Sequence, residues 1–471
     1  NKRQHCDILN TTQNEGTDSP LRLFAMSTSN KPAAAAAATA AAIALIGYVC
    51  LNRGKKSSAG DTSSGPKYVL AGDIGGTNSR LSLHHPNSKE TLLLVEYRND
   101  EALRSNPKYK SFRNADSTSS FKSFGDGVVE PFLKRAFGSK ATGGEGLEVG
   151  DVVACFACAG PVVNNRVVMT NIKSLKDPAT GKVHEVAICG KEIEECKTGY
   201  VRHVIKCKIV NDFVGQGYGA LDLDLSETST EAYELKAGSR NLLEKARSSG
   251  AAPGPMACVG AGTGLGECYL TCSSLNPSGG YECYPSEGGH VEYAPRTDLE
   301  MELLPFLKKK FGYDHRISVE RVVSGKGLAN VYGFLSHKFP AKVDKAIQDE
   351  FENAGDMQGR VVGINSKRGA GQELCMQAME IMMSAYGSEV GSAALKYIPT
   401  GGMFVTGGLT PKNVEWMKGD DSPFVKAYLD KGRVSPILDT VPLFAVLAED
   451  MGLRGARVCA MREYNNIMAH Q

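Results

Sequence analysis

Two short segments of this 471-residue chain carry residue types and spacings suited to binding a chain of phosphates. In VLAGDIGGTNSRLSL, from Val69 to Leu83, a turn holds Gly72, Asp73, Gly75, Gly76, Thr77 and Asn78. In VGAGTGLGECYL, from Val259 to Leu270, a second turn holds Gly260, Gly262, Thr263 and Gly264. Glycine lets the backbone approach an anion closely, and successive N–H groups in such a turn form an anion nest. Most phosphate loops lead from a strand into a helix. Here the alternation of apolar and polar residues continues past both turns, so each reads as a strand–turn–strand hairpin. The glycine spacing from Gly260 to Gly266 superficially matches a dinucleotide fingerprint, but that motif needs a helix next. Either hairpin alone could be an ordinary tight turn. Two of them, each with Gly-Thr at its tip, suggest related halves facing one another across a polyphosphate. Asp73, at a strand end, would offer a carboxylate oxygen to Mg2+.

Further polar residues sit at the ends of apolar runs. KIVNDFV places Asn211 and Asp212 where a strand stops. By residue type, Asp212 is a general base or a helix N-cap, and both readings stand open. SEGGHVEYAP sets Glu287 and His290 around two glycines, and ISVERVVSG carries Glu320. Carboxylates and imidazoles at fixed angles suit a ring of hydroxyls. The bland readings are a structural histidine and a charge at a helix N-terminus. Asn171, in VVMTNIKS, reads as a polar contact or a turn former, and GGMFVTGGLTPK gives a glycine turn at Gly407 and Gly408.

Taken together, AGDIGGTNSRLSL, IVNDF, GAGTGLG, EGGHVEYAP, ERVVSGKGL and FVTGGLTPK resemble the bacterial-type glucokinase family, in that family's order, from about Tyr68 to the C-terminal helix. This is an ATP-dependent family of the actin-like sugar kinases. The resemblance implies two actin-like (ribonuclease H-like) α/β domains around a central cleft. It also implies phosphorylation of D-glucose to glucose 6-phosphate, the first step of glycolysis. ATP and Mg2+ are the expected cofactors, and glucose and ATP the small-molecule partners. The carried-over roles make Asp212 the base. Asn211, Asp212, Glu287, His290 and Glu320, with Asn171, would contact glucose. The two hairpins would contact ATP, with Asp73 holding its Mg2+, and Gly407 and Gly408 would lie on the adenosine side. Members of the family often carry an aromatic residue after the asparagine matched by Asn171, whereas this chain reads IKSLK. Related repressor-like sugar kinases carry a cysteine-rich zinc motif after their histidine, and here VEYAPRTDLE follows His290. A hexokinase of broader specificity and a non-catalytic sugar or nucleotide sensor are the competing functions.

The elements that must hold these residues alternate strand and helix, as in an α/β protein. KYVLAGDI, RLSLHH, DVVACFA, RVVMTN and VIKCKIV read as strands, and Leu223 to Pro255 as polar helix or loop. An amphipathic helix is expected over Thr297–Phe311, helices fill Ala341–Leu395, and the end reads strand, loop, helix. The expected division is a leader over residues 1–66, a small α/β domain over 67–223 completed by 449–471, and a large α/β domain over 224–448. Extra polar stretches, 106–120 and 177–199, are expected as surface insertions. The chain is 42% hydrophobic with a net charge of +2, which gives no reason to expect nucleic acid as a partner. Its 13 cysteines form no regular framework, which favours free thiols, including the pair Cys155 and Cys158 on one apolar strand. The Ala-rich stretch from Pro32 to Asn52 is long enough to span a bilayer, with Lys31 before it and Arg53, Lys55 and Lys56 after. It reads as a signal anchor, a cleaved targeting peptide or a non-spanning leader, with the catalytic part on the cytoplasmic side. A homodimer is the expected assembly.

Overall fold

The first hairpin forms as read. In a computed structural model, which describes residues 65–103, 123–169, 185–238, 254–272 and 280–471, β1 (Tyr68–Ile74) and β2 (Asn78–His84) pair antiparallel. With β3 (Leu93–Arg98), β4 (Val152–Cys158) and β8 (Val204–Asn211) they make a five-stranded sheet, ordered β3-β2-β1-β4-β8. The strands β1, β4 and β8 run parallel. Their register pairs Ile74 with Cys158 and Cys158 with Asn211, so their C-terminal ends lie level. Adjacent strands stand about 4.8 Å apart, so the ends of β1 and β8, two strands apart, are about 10 Å from each other. That register carries Asp73 and Asp212 to one edge of the sheet.

A three-stranded sheet joins β5 (Val162–Val163), β6 (Arg166–Met169) and β7 (Val186–Cys189). The described part of the expected 177–199 surface insertion is therefore only partly surface. Val186, Ile188, Ile193 and Cys196 are buried, because the alternation in VAIC turns two apolar side chains inward against β6. The other expected insertion, 106–120, lies outside the described residues, as do the leader up to residue 64 and its Ala-rich stretch.

The second hairpin, β10 (Met256–Ala261) and β11 (Leu265–Cys272), nucleates a six-stranded sheet. Its order is β12-β11-β10-β13-β14-β9, with β12 at Tyr281–Ser286, β13 at Met403–Thr406, β14 at Leu443–Val446 and β9 at Ala232–Lys236. The strand β9 falls inside the stretch read as helix or loop. AYELK is a short, mixed-polarity edge strand that takes its conformation from pairing with β14 rather than from its own pattern.

Among the described residues, the helices of seven residues or more are α1 (Glu130–Phe137), α2 (Asp212–Ala220), α3 (Asp298–Phe311), α4 (Gly325–Lys338), α5 (Lys345–Asn353), α6 (Gln358–Ile364), α7 (Glu373–Tyr397), α8 (Pro423–Leu429) and α9 (Met451–Ala469). Thr297 caps α3, its hydroxyl accepting from the Glu300 N–H at 3.2 Å. Among the described residues, no helix is long and apolar enough to cross a membrane. The fold is a mixed α/β architecture of the actin-like kind.

Three apolar cores result among the described residues. One lies between the five-stranded sheet and α1, around Phe132 and Phe156. Another packs α4 and α7 on the six-stranded sheet, around Tyr332 and Tyr386. The third joins the two sheets through α2 and α9 and contains Val69, Ala71, Cys155, Ala157, Cys258, Cys268 and Phe404. Cys158 belongs to the first core and Cys155 to the third, so the pair points to opposite faces of β4 as buried free thiols. Among the described residues, no group of three or more His, Cys, Asp or Glu could hold a metal ion.

The helices α2 and α9 cross at glycines. A Cβ built on Gly455 would lie 1.6 Å from the Gly215 carbonyl oxygen. A backbone oxygen cannot yield as a flexible side chain can, so Gly455→Ala must push the helices apart. The expected cost is about 1–3 kcal/mol, the usual range for overpacking. A denaturant melt of Gly455→Ala should show that loss, and an unchanged midpoint would mean the crossing tolerates a methyl group.

Candidate active site

Asn211 is the last residue of β8 and caps α2. Its side-chain oxygen accepts from the Phe213 N–H at 2.9 Å and the Val214 N–H at 3.3 Å. Its amide nitrogen donates to the Gly160 carbonyl at 3.1 Å and to Asp212 Oδ1 at 2.9 Å. The capping role left open for Asp212 therefore falls to its neighbour. Asp212 occupies the first helical position with its carboxylate available. Burial pushes that carboxyl up to about 6, against hydrogen bonds from the Phe213 N–H and Asn211, and the charge of Asp73 raises it further.

Asp73 sits one residue before the end of β1. Its carboxyl is also raised by burial, with Arg80 opposing. It lies against α9, where a Cβ on Gly452 would come 2.8 Å from its Cγ. The turn beside it is stitched from below by Asn99. The Asn99 amide donates to the Gly75 carbonyl at 2.7 Å, its oxygen accepts from Ser79 Oγ at 2.6 Å, and its backbone N–H donates to the Thr77 carbonyl at 2.8 Å. Thr77 stays exposed at the tip. The sequence reading missed Asn99, which lies in RNDE and bears no motif.

The second hairpin has the same exposed threonine, Thr263, and more support. The Gly262 N–H donates to the Gly264 carbonyl at 2.8 Å, and the Gly325 N–H at the start of α4 donates to the Gly262 carbonyl at 2.8 Å. The Gly407–Gly408 turn is brought to this hairpin, with the Leu409 N–H donating to the Ala261 carbonyl at 3.0 Å. Gly407 has φ +82°, and a Cβ there would sit 2.4 Å from the Ala261 oxygen, so only glycine fits. The buried Tyr386 hydroxyl accepts from the Ala261 N–H at 3.0 Å and lies 3.2 Å from the Val259 carbonyl.

Glu287 and His290 flank a short turn, Gly288–His290, and both side chains are exposed, with His290 Nε2 4.0 Å from Glu287 Oε2. Glu320 lies on an adjacent turn, Val319–Arg321. The two turns are tied by backbone, the Val319 N–H donating to the Val291 carbonyl at 2.9 Å and the Tyr293 N–H to the Ile317 carbonyl at 2.8 Å. Glu320 Oε2 accepts from the Leu265 N–H at 3.0 Å. This residue therefore bridges the Glu287–His290 turn and the second hairpin. Asp212 makes no hydrogen bond or ion pair to Glu287, His290 or Glu320. The link runs through Phe213, whose ring fills the space above Gly260 and Gly266, 2.9 Å and 2.1 Å from Cβ atoms built there. Asn171 lies outside the described residues.

Chemically, the site offers an elevated carboxylate at a helix start, a second carboxylate across the sheet edge, two glycine nests and a polar turn. Comparisons with known proteins identify the family. The family model described as Glucokinase matches residues 70–463. A curated glucokinase of Nostoc sp. is 32% identical over 84% of this chain and 99% of its own length. A glucokinase of Synechocystis sp. is 33% identical over 83% of this chain and 97% of its own. Among solved structures, a glucokinase from an Antarctic psychrotroph aligns with TM-score 0.56 and 23% identity, covering 84% of this chain and 99% of its own. That of Balamuthia mandrillaris, in complex with glucose, aligns with TM-score 0.58 and 20% identity, covering 85% of this chain and 95% of its own.

The raised Asp212 has a consequence for stability. In the fold it keeps its proton up to about pH 6, whereas in the unfolded chain an aspartate loses it near pH 4. Between those values the folded state binds more protons, so stability falls as pH rises through the window and stays lowered above it. Asp212→Asn should therefore melt higher than the parent at pH 7.5, with the difference vanishing below about pH 4. Parallel melting curves across that range would contradict the raised carboxyl. Family model, relatives and fold converge: the chain belongs to the glucokinase family and is an enzyme of it.

Proposed function

We propose that the chain transfers the γ-phosphoryl group of ATP to the 6-hydroxyl of D-glucose, with Asp212 as general base. The observation that carries this reading is the state of Asp212. Asn211 has taken over the helix cap, and burial lifts the carboxyl to about 6, close to where a base works best at neutral pH. Removing the hydroxyl proton as the phosphoryl group arrives lets the oxygen attack without building positive charge.

The two hairpins would receive the polyphosphate, with backbone N–H groups and the hydroxyls of Thr77 and Thr263 as donors. Gly407 and Gly408 would lie on the adenosine side. Asp73 fits a Mg2+ ion by the chemistry of its donor, a hard carboxylate oxygen beside a phosphate nest and facing the like charge of Asp212. When bound, that ion would offset charge on the phosphates. Glu287, His290 and Glu320 would receive the sugar hydroxyls together with Asn211 and Asn171. The backbone bonds between their two turns support a single pocket. Specificity would come from hydroxyls whose loss leaves these polar groups unpaired, at about 1–3 kcal/mol each.

Asp212→Asn keeps the shape and removes the proton acceptor. Its kcat should fall by roughly 10²–10⁴, with the KM for glucose nearly unchanged. The parent's kcat should drop below about pH 6 as Asp212 protonates, and the variant's residual rate should lack that limb. Full turnover in Asp212→Asn would remove the residue from its role. Tight binding of glucose and ATP by the parent without turnover would favour a sensor.

A further inference from the structure

Beneath the Glu287–His290 turn lies a carboxyl that phosphoryl transfer leaves without a task. Glu267 is the third residue of β11, paired in register with Val259 on one side and Ser286 on the other. It is 1% exposed. Neither of its oxygens has a hydrogen-bond donor among the described residues, and Glu389 Oε1, on α7, lacks one too. The two carboxyl groups face each other. Lys396 Nζ stands 3.9 Å from Glu389 Oε1, too far for a hydrogen bond. Lys431 Nζ is committed to the Ser388 carbonyl at 2.9 Å and hydroxyl at 3.2 Å. Two buried carboxylates in contact cannot both ionise at modest cost. A single proton between them supplies the donor that both lack.

This pair sits directly under the turn. A Cβ built on Gly288 would lie 1.9 Å from Glu267 Oε2, so the carboxyl rests against the Gly288 α-carbon. A Cβ on Gly289 would lie 2.0 Å from the Leu265 carbonyl oxygen. The Gly288 N–H donates to Ser286 Oγ at 3.1 Å, which fixes the exit from β12. Any movement of the Glu267 carboxyl is thus passed to the backbone that presents Glu287 and His290.

We propose that Glu267 is a positioning residue for the sugar pocket: sharing one proton with Glu389, it forms the floor on which Gly288 rests, beside the Leu265 carbonyl under Gly289, and so sets where Glu287 and His290 point. The proposal rests on the reading of that turn as the sugar site. Burial and the Glu389 charge push Glu267 up to about 8, with Lys396 opposing. At neutral pH the proton is held. Above about pH 8 it leaves to water, the two charges repel, and the floor shifts.

Several other groups surround the pair. Tyr386 and Lys396 face it from α7, and Lys431 stands beyond α8 with Asp430 and Arg296 nearby. Glu287 and His290 lie on the turn above, and Glu320 on the neighbouring turn. They set where the window falls. A change confined to the pair isolates its own contribution.

The test is kcat and the separate KM values for glucose and ATP from pH 7 to 9.5, for the parent, Glu267→Gln and Glu389→Gln. Either amide supplies a permanent donor to the remaining carboxylate. In the parent, the KM for glucose should rise by roughly tenfold over that range, as expected once pH exceeds the pair's value by a unit or more, while the KM for ATP stays flat. In both variants the rise should shrink to less than about threefold. Melting temperatures without ligand should fall from about pH 5 to about pH 8 in the parent and level off above it, and over that window both variants should fall less. Identical pH profiles and parallel melting curves for all three proteins would overturn the proposal. A glucose KM and an ATP KM that rise together would overturn it as well, by showing a general loosening. A parent that phosphorylates no glucose at any pH would instead defeat the functional reading, and the melting curves would still decide whether the proton is shared.

Discussion

The ring of Phe213 occupies the space that Gly260 and Gly266 leave bare, and much of the site depends on that contact. Phe213 follows Asp212 directly. The backbone that carries the elevated carboxylate is therefore pinned to the second glycine hairpin. On its other flank, α2 meets α9 at Gly215 and Gly455 with no room for a methyl group, and α9 in turn rests against Asp73 through Gly452. One short helix start is thereby located relative to both hairpins. A carboxylate held by packing on two sides keeps its geometry without an ion pair, which would otherwise lower its proton affinity.

Electrostatics and packing work together at the sheet edge. Asp73 and Asp212 come from the level ends of two parallel strands, and the charge of Asp73 raises the cost of ionising Asp212. The same logic recurs under the sugar-side turn, where Glu267 and Glu389 face each other without a donor. Buried acid pairs of this kind make the molecule sensitive to pH through more than one group, and the windows differ because Asp212 accepts hydrogen bonds that oppose its burial whereas Glu267 accepts none among the described residues. Asp212 responds near 6 and Glu267 near 8.

Much of this was legible in the sequence because local chemistry and global fold agree there. The two hairpins follow from alternation around glycine turns, α3 from its amphipathic pattern over Thr297–Phe311, and the strand end at Asn211–Asp212 from an apolar run that stops. What escaped depends on partners distant in sequence. AYELK becomes β9 only by pairing with β14. VAIC becomes β7 only against β6. Asn99 has no motif, because its task is to satisfy the carbonyls of a turn more than twenty residues earlier. The division of labour between Asn211 as cap and Asp212 as raised carboxylate was undecidable from residue types alone, since either can cap a helix. The buried pairing of Glu267 with Glu389 joins a strand to a helix more than a hundred residues away, and no spacing rule reaches that far.

The account holds that one hydroxyl of a bound hexose accepts the phosphoryl group because Asp212 removes its proton. The most direct measurement is 31P NMR of the products formed from ATP and Mg2+ with glucose, and with 6-deoxyglucose in its place. The expected result is phosphate on the 6-oxygen of glucose, with 6-deoxyglucose competing for the site and accepting nothing. Phosphate transferred to 6-deoxyglucose, or found on another oxygen of glucose, would contradict it.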